Sequence, residues 1–471
     1  MLDNKTQKKC TPSFTATLPL ESVAKQEKYY WKLSDCARQL FNAVLSEARK
    51  RSNRIKNTKL YQETIRLPKN KKENISKRRE NFKYLNEQFG FTDSSLQSFG
   101  TKTKNDSKFI AEHLGTHVCQ KTSTKAFRAE QRVALRKAKK ANFKRKGEFV
   151  SIEGKNNETF IRYSNGYAII GNTTCKCSIN PKDKWMQHAL KQRIKYCRLI
   201  SKVVKGKRKF YLQLILEGQP YQKHSLGTEE TGIDVGPSTI AVVSDTKAEL
   251  KEFCSELVFL DKEKRRLQRK MDRQRRKNNP DNYLPNGVVK KGRKTWASSN
   301  RYLKTKALVH EYERKLKEKR KTFHGKEVNQ IVRRSKIVKA EKLSYKAFQK
   351  LFGKSVGRRA PSQFVNRLQD RMIAYGGDFQ EISTYKTKLS QTCHCGQTKK
   401  KKLSDRWHRC ECGIVAQRDL YSAFLAKCIV RSGTLSKQKS KRQWDMAKVL
   451  LDECVKNTKE KNQKTYSSFG F

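Results

Sequence analysis

Apolar and polar positions alternate in PSFTATLPL, residues 12–20, with Phe14, Ala16 and Leu18 set against Thr15 and Thr17. A period of two predicts a half-buried strand. After about Lys25 the period becomes helical. In WKLSDCARQLFNAVLSEARK, Leu33, Ala37, Leu40 and Val44 recur on one face. Further helices are predicted near 74–88 and 106–139, with turns such as FGFTDSSLQSFG between them. Strand signals return over 148–217. RLISKVVKGKRKFYLQLILEG is two apolar runs joined by Lys205-Gly206-Lys207, which predicts a β-hairpin. One β-region is therefore split around a helical insertion.

From residue 231 the pattern predicts three strands in succession: GIDVG, TIAVVSD and FCSELVFL. A long basic helix follows, DKEKRRLQRKMDRQRRKN, broken by a loop with Pro280, Pro285 and Gly287. A second helix over 299–323 places Leu308, Tyr312, Leu316 and Phe323 on one face. SKIVKAEKL reads as a buried strand ending at Glu341. APSQFVNRLQDRMIAYGG reads as a helix with Pro361 in its first turn and Gly376 at its end, its core face Val365, Leu368, Met372 and Tyr375. DFQEIS is a further strand, and RDLYSAFLAKCIVR a final helix with Tyr421, Phe424, Leu425 and Cys428 on one side. The remaining residues, 435–471, are polar and basic and read as a tail.

Charge changes this picture. The 471 residues carry 108 Lys+Arg against 44 Asp+Glu, a formal net charge of +64. Such a field opposes compaction unless a polyanion neutralises it, so nucleic acid is the expected partner. An anionic membrane is a poorer match, because no long amphipathic helix with a bulky apolar face stands out. MLDNKTQKKC lacks an apolar leader core, and no apolar run approaches a membrane span. A soluble cytoplasmic protein is expected. The 13 cysteines, an odd number scattered along the chain, favour free thiols and a metal site over a disulfide framework.

Three acids occupy comparable places in the predicted elements. Asp234 lies inside the first strand of the three-strand run, Glu341 ends a later strand, and Asp419 opens the last helix. Alone, Asp234 reads equally well as a turn former before Gly236-Pro237. Glu341 and Asp419 alone read as charges at helix N-termini. A sheet with the first and fourth strands adjacent, and the last helix on top, would converge all three. Hard divalent cations take such oxygen ligands, and two of them can act on a phosphodiester. Gly236 would allow a nucleic-acid backbone to approach.

TCHCGQTKKKKLSDRWHRCECG brings Cys393, Cys395, Cys410 and Cys412 onto two turns, each followed by glycine. Two cysteine pairs can wrap one tetrahedral zinc ion. His394 and His408 are further candidate ligands, and a small loop held by packed thiols is the alternative. Between the pairs, Lys399, Lys400, Lys401 and Lys402 can lie along a nucleic-acid strand. Cys175 and Cys177 have no partner pair and read as plain thiols. In the basic helix, Lys264, Arg265, Arg269, Arg273 and Arg276 form overlapping rows with few acids to balance them, which favours phosphate binding.

GIDVG with TIAVVSD resembles the first motif of a RuvC-like nuclease. The paired basic helices before KIVKAEKL resemble the approach to the second, and the cysteine cluster with QRDLYSAF the third. Together they resemble TnpB, the transposon-encoded RNA-guided nuclease, and the compact type V CRISPR effectors. Gln417 stands where the family's third motif has its first Asp, and Ser422 where it has Asn; the cysteine pairs are Cys-x-Cys rather than Cys-x-x-Cys. The resemblance implies an α+β multidomain fold. A split N-terminal β-barrel, the wedge (1–24 and 145–225), would surround a helical recognition lobe (25–144). An RNase H-like (RuvC) nuclease domain (226–386 and 416–434) would carry a zinc-ribbon-like insertion (387–415) and a basic tail (435–471). It implies Asp234, Glu341 and Asp419 as catalytic ligands of two Mg²⁺ ions, zinc on the cysteines, and the basic helix along a guide–target duplex. Guide RNA and target double-stranded DNA would be the partners. A guided DNA binder without cleavage, acting as a repressor, and a guide-independent RNA-binding protein are the other readings.

Overall fold

The structure is a computed structural model that describes residues 11–402, 404–461 and 469. Residues 1–10, where the leader was sought and the first wedge segment begins, lie outside the described residues, as do 403, 462–468, 470 and 471. The chain divides into two compact units after Tyr221.

In the first unit, β1 (Ser13–Pro19) leads into a run of helices: α1 (Ala24–Lys56), α2 (Lys59–Arg66), α3 (Lys72–Gln88), α4 (Asp93–Asn105), α5 (Lys108–His113) and α6 (Thr116–Ala134). The chain then returns to strands: β2 (Ser151–Glu153), β3 (Ile161–Ser164), β4 (Tyr167–Ile170), β5 (Thr173–Lys176), the short α7 (Lys184–Leu190), β6 (Ile194–Val204) and β7 (Lys207–Glu217). A four-stranded sheet has the order β1-β7-β6-β2, and β3-β4-β5 form a second. The predicted hairpin forms with a two-residue turn. Lys205 and Gly206 both take positive φ, +50° and +77°, the backbone that matches the twist of paired strands. Along α1, Tyr30, Leu33, Ala37, Leu40, Val44 and Ala48 are buried at helical spacing against α6 and the sheet core. FGFTDSSLQSFG, read as a turn, instead contains the first two turns of α4. Thr92 caps it by accepting from the Ser95 N–H (3.3 Å), and Leu96 and Gly100 enter the core.

The second unit begins with β8 (Glu229–Val235), β9 (Thr239–Val243) and β10 (Ala248–Glu252). It continues through α8 (Leu257–Asn278), α9 (Asn300–Arg334), β11 (Ser335–Glu341), a kinked α10 (Tyr345–Arg359), α11 (Pro361–Ala374), β12 (Asp378–Ile382) and α12 (Thr384–Thr387). The hairpin β13 (Trp407–Arg409) and β14 (Val415–Gln417) then leads to α13 (Arg418–Lys427) and α14 (Lys437–Lys461). The sheet order is β10-β9-β8-β11-β12. The pairs β10–β9 and β9–β8 are antiparallel; β8–β11 and β11–β12 are parallel.

Alternation sorts the two faces of this sheet. Ile233, Val235, Val338 and Ala340 pack with Val328, Ile331, Phe364, Leu368 and Met372 from α9 and α11. Ala241 and Val243 pack on the other face with α13 and α14. Gly232 is where α13 comes closest. A Cβ there would stand 2.0 Å from the Ala423 carbonyl oxygen.

Three expectations are corrected. The third strand is Ala248–Glu252, not FCSELVFL. Cys254 turns the chain at φ +56°, and from Leu257 the buried and exposed positions follow a helix, with Val258 and Phe259 outward. On α9, Val309 and Leu316 are buried while Leu308 is exposed, so the inward face is rotated from the predicted one. Residues 437–461 form a helix rather than a tail. Trp444, Ala447, Leu451, Cys454 and Val455 recur at helical spacing and cover α13, which is buried from Asp419 through Lys427.

Gly232→Ala is expected to lower the melting temperature, since the clash is with backbone and α13 must shift, a cost of about 1–3 kcal/mol. Gly357→Ala, inside α10 with nothing within 4 Å of the new Cβ, is expected to raise it, by about 0.4–1 kcal/mol of stability. Scanning calorimetry of the two variants checks both signs.

Candidate functional site

β8 and β11 run parallel with Ala340 opposite Ile233, so one further step sets Glu341 beside Asp234. Asp234 shares its sheet face with Gly232, the residue under α13. Glu341 shares its face with Lys339, whose ammonium donates to the carbonyls of Lys427 (3.0 Å) and Ile429 (2.6 Å) at the far end of α13. Asp419, buried in the first turn of α13, faces the same side. The three acids singled out in the sequence are therefore neighbours on one face.

Their electrostatics follow from crowding. Burial, then the carboxylates of Asp419 and Glu341, push the Asp234 pKa well up, against the opposing pull of Arg418 and Arg406. Burial also raises Glu341, partly offset by a hydrogen bond from the Leu389 backbone. Asp419 is held from several sides. Thr239 donates to it at 3.1 Å, Arg418 lies 3.2 Å away and Arg406 3.9 Å. The donor set, three carboxylates on one face, is of the oxygen type that a hard cation takes. The oxygens are not drawn together as tightly as the cysteine sulfurs, the one group among the described residues gathered closely enough to hold a metal ion.

Of the supporting residues, Thr239 and Tyr345 had no signal in the sequence, whereas Gly236, Gln417 and Ser422 were visible there without their contacts. Gly236 serves the turn rather than an open approach: its N–H donates to the Thr239 carbonyl at 3.0 Å, and a Cβ would meet Thr239 Oγ1 at 2.9 Å. It thereby keeps Thr239 on Asp419. Gln417 is the N-cap of α13, its side-chain oxygen accepting from the Leu420 N–H at 2.8 Å. An amide does there what an Asp cap would do. Ser422 is buried, and its hydroxyl has no partner among the described residues. The Tyr345 hydroxyl is likewise buried and unpartnered, and burial with Glu381 and Asp234 nearby pushes its pKa up.

The four cysteines do converge. Sγ of Cys393 is 3.5 Å from that of Cys412, and Cys395 is 3.7 Å from Cys410; all four sulfurs lie within 4.8 Å of one another. Zinc–sulfur bonds of about 2.3 Å in a tetrahedron put sulfurs about 3.8 Å apart, so the thiols fit one zinc ion. The two Cys-x-Cys-Gly knuckles are equivalent. In each, the first cysteine N–H donates four residues ahead (to Gln397 at 2.8 Å, to Ile414 at 3.0 Å), and the glycine N–H returns to that cysteine's carbonyl. Gly396 and Gly413 take φ of +103° and +89°, which a Cβ would strain. Both histidines turn elsewhere. His394 Nδ1 lies 3.0 Å from the Tyr421 hydroxyl, and His408 packs on the Tyr421 ring at 4.4 Å and contacts Lys401. Cys175 and Cys177 are buried free thiols.

The predicted phosphate-binding residues separate into two groups. On α8, Arg269, Arg273 and Arg276 are exposed. Lys264 (3.1 Å) and Arg265 (2.9 Å) turn to the buried Asp261, which Arg358 also pairs at 2.9 Å. Those three cations hold the Asp261 carboxyl below its ordinary pKa. In the insertion Lys399, Lys400 and Lys402 are exposed, while Lys401 folds in against His408.

Residues 362–425, which contain all four cysteines and Asp419, match the family model of the Cas12f1-like TNB domain. The chain resembles the TnpB-like compact type V effectors through this segment. Among solved structures, a cryo-EM structure of the Cas12f1–sgRNA–target DNA complex is 11% identical with a TM-score of 0.42, covering 88% of this chain and 98% of that one. A cryo-EM structure of a CRISPR-Cas12f ternary complex is 12% identical with a TM-score of 0.30 and the same coverage. No curated protein matches the chain in sequence. No helix among the described residues is long and apolar enough to cross a membrane.

Two outcomes are expected. The native state holds the Asp234 proton more tightly than the unfolded chain, whose carboxyl has the ordinary value of 3.8, so metal-free stability falls as pH rises past that value. Asp234→Asn removes the loss. Its melting temperature should exceed wild type at pH 7–8, by about 2–4 °C per kcal/mol relieved, and converge with it near pH 4. For the cysteines, Cys395→Ser and Cys410→Ser should each lower the zinc content read by plasma mass spectrometry, whereas Cys175→Ser should not.

Proposed function

We propose that the chain is an RNA-guided DNA endonuclease whose RNase H-like (RuvC) sheet hydrolyses phosphodiester bonds with Asp234, Glu341 and Asp419. The observation that carries this reading is the meeting of those acids on one sheet face, in a chain whose net charge is +64. The strand order β10-β9-β8-β11-β12 supports an RNase H-like domain, and the match over 362–425 supports an effector of the Cas12f1-like class. The two sheets of the first unit, bridged at Leu20 and Cys177, support a wedge barrel around a helical recognition lobe.

In this reading Asp234, Glu341 and Asp419 would hold Mg²⁺, with two ions expected, and Cys393, Cys395, Cys410 and Cys412 would hold zinc. When bound there, magnesium would supply an activated water and a counter-charge for the leaving oxygen. The chain's own residues do the rest. Thr239 and the Gln417 cap fix the orientation of Asp419. Arg418 and Arg406 hold positive charge at the point where a phosphate arrives, and guanidinium forks suit phosphate oxygens. Arg269, Arg273, Arg276, Lys399, Lys400 and Lys402 grip backbone phosphates, while guide RNA pairing selects the target beside a short flanking DNA motif.

One observation favours a second reading, a guided DNA-binding repressor without cleavage. Asp419 is paired with Arg418 and Arg406, which compete with a metal ion for its oxygens. A plasmid-nicking assay with guide RNA and Mg²⁺ separates the two. The nuclease cuts, and Asp234→Ala abolishes cutting by at least about a thousand-fold while RNA affinity stays at the wild-type value. Target binding without any cutting by the wild-type protein selects the repressor, and cutting undiminished by Asp234→Ala removes the assignment of the site.

A further inference from the structure

Within the helical lobe of the first unit, a cavity of about 320 Å³ opens between α1, α2, α3 and the end of α6. That is the lower end of the range for small organic ligands, about 300–1,000 Å³. Its chemistry is divided. Tyr61, Ile65, Phe82 and Phe91 give it an aromatic, apolar wall, with the Tyr61 and Phe82 rings 5.8 Å apart and Arg78 stacked 5.6 Å from the Phe82 ring. Lys56, Lys69, Arg78 and Arg136 also line it, and no carboxylate does. Two side-chain amides, Asn86 and Gln131, reach it from α3 and α6, and neither makes a side-chain hydrogen bond among the described residues.

We infer that this cavity seats one unpaired nucleotide of a bound polynucleotide, its base against the aromatic wall and its phosphates on the cationic lining. An aromatic wall offers π faces to any base. A free amide presents a donor and an acceptor together, the pattern needed to meet a base edge. Lys56, Lys69 and Arg136, without a counter-charge in the lining, suit the flanking phosphates and suit a neutral apolar ligand poorly, while Arg78 also donates to the Leu67 carbonyl at 3.0 Å and fixes the wall. A paired base cannot enter, because its edge and both its faces are already engaged. The inference rests on the polynucleotide partner proposed above but not on cleavage.

The test uses the full chain with labelled single-stranded RNA and DNA of one sequence, substituted with 4-thiouridine or 4-thiothymidine. Cross-linked peptides containing Tyr61 or Phe82 are expected. Phe82→Ala and Gln131→Glu are each expected to weaken binding on the order of ten-fold. Gln131→Glu removes little packing, so it stands even where Phe82→Ala unsettles the lobe. A larger loss with RNA assigns the nucleotide to the guide, and a larger loss with DNA to the displaced or flanking strand. Cross-links confined to other peptides, with Gln131→Glu binding as wild type, overturn the cavity assignment and leave the nuclease reading intact. Failure of the wild-type chain to bind either strand overturns both.

Discussion

The close seating of α13 on β8 at Gly232 is the constraint on which both candidate sites of the second unit depend. Only a residue without a Cβ lets the Ala423 carbonyl come so near the strand. The helix is then sealed from outside by α14, with Trp444 against Tyr421 (5.4 Å) and Phe424 (5.5 Å). From that fixed position α13 holds two things at once. Its first turn presents Asp419 to Asp234 and Glu341. Two residues on, the Tyr421 hydroxyl accepts from the His394 N–H at 3.0 Å and lies 3.4 Å from Cys393 Sγ, so the first cysteine knuckle is braced from below. A shift of the helix would disturb the acids and the thiols together.

The far end of α13 is fixed by polar contacts. Lys339 and Lys427 are both buried, with their side chains 5% exposed. Lys339 meets Glu230 at 3.2 Å as well as the two carbonyls at the helix end; Lys427 meets Asp245 at 2.9 Å. Cations at a helix C-terminus are favourable, and here they also satisfy carbonyls that would otherwise be orphaned. The sheet face thus carries positive charge where the helix ends and negative charge where it begins. Acids gathered inside so cationic a chain cost desolvation and mutual repulsion, visible in the raised pKa of Asp234. That cost is the physical ground for the chemical task proposed for them.

The site was legible to the extent that it followed from period and order. Asp234 inside an apolar run, Glu341 at the end of another and Asp419 opening an apolar helix required only alternation and helical spacing to place. The cysteine turns announced themselves by their glycines. What was not legible depends on partners far away in sequence. Lys264 and Arg265 look like any solvated cations until Asp261 is known to be buried beside Arg358, 97 residues on. The burial of α14 could not be read because its apolar positions are thinly spread among lysines, and only an already apolar α13 gives them something to cover. The displaced third strand has a similar cause. FCSELVFL is apolar enough for either period, and the sheet edge took AELKE, which buries Leu250 alone.

Arg418 ties the cysteine insertion to the acids more directly than the shared helix does. Its guanidinium reaches Asp419, and its Nη1 also donates to the Asp405 carbonyl at 2.6 Å. Its own N–H donates to the Arg406 carbonyl at 2.8 Å. Arg406, in turn, approaches the other oxygen of Asp419. The segment between the cysteine knuckles is therefore bonded to the side chain that pairs with the acid. A nucleic-acid strand drawn along Lys399, Lys400 and Lys402 would pull on the same segment. Because a guanidinium can exchange a carboxylate for a phosphate at little loss of hydrogen bonding, binding of such a strand would be linked to Asp419 through one side chain. Under the proposed nuclease reading, the arginine pairing would then be a resting contact that substrate displaces, so the pairing and a hydrolytic role for Asp419 are compatible.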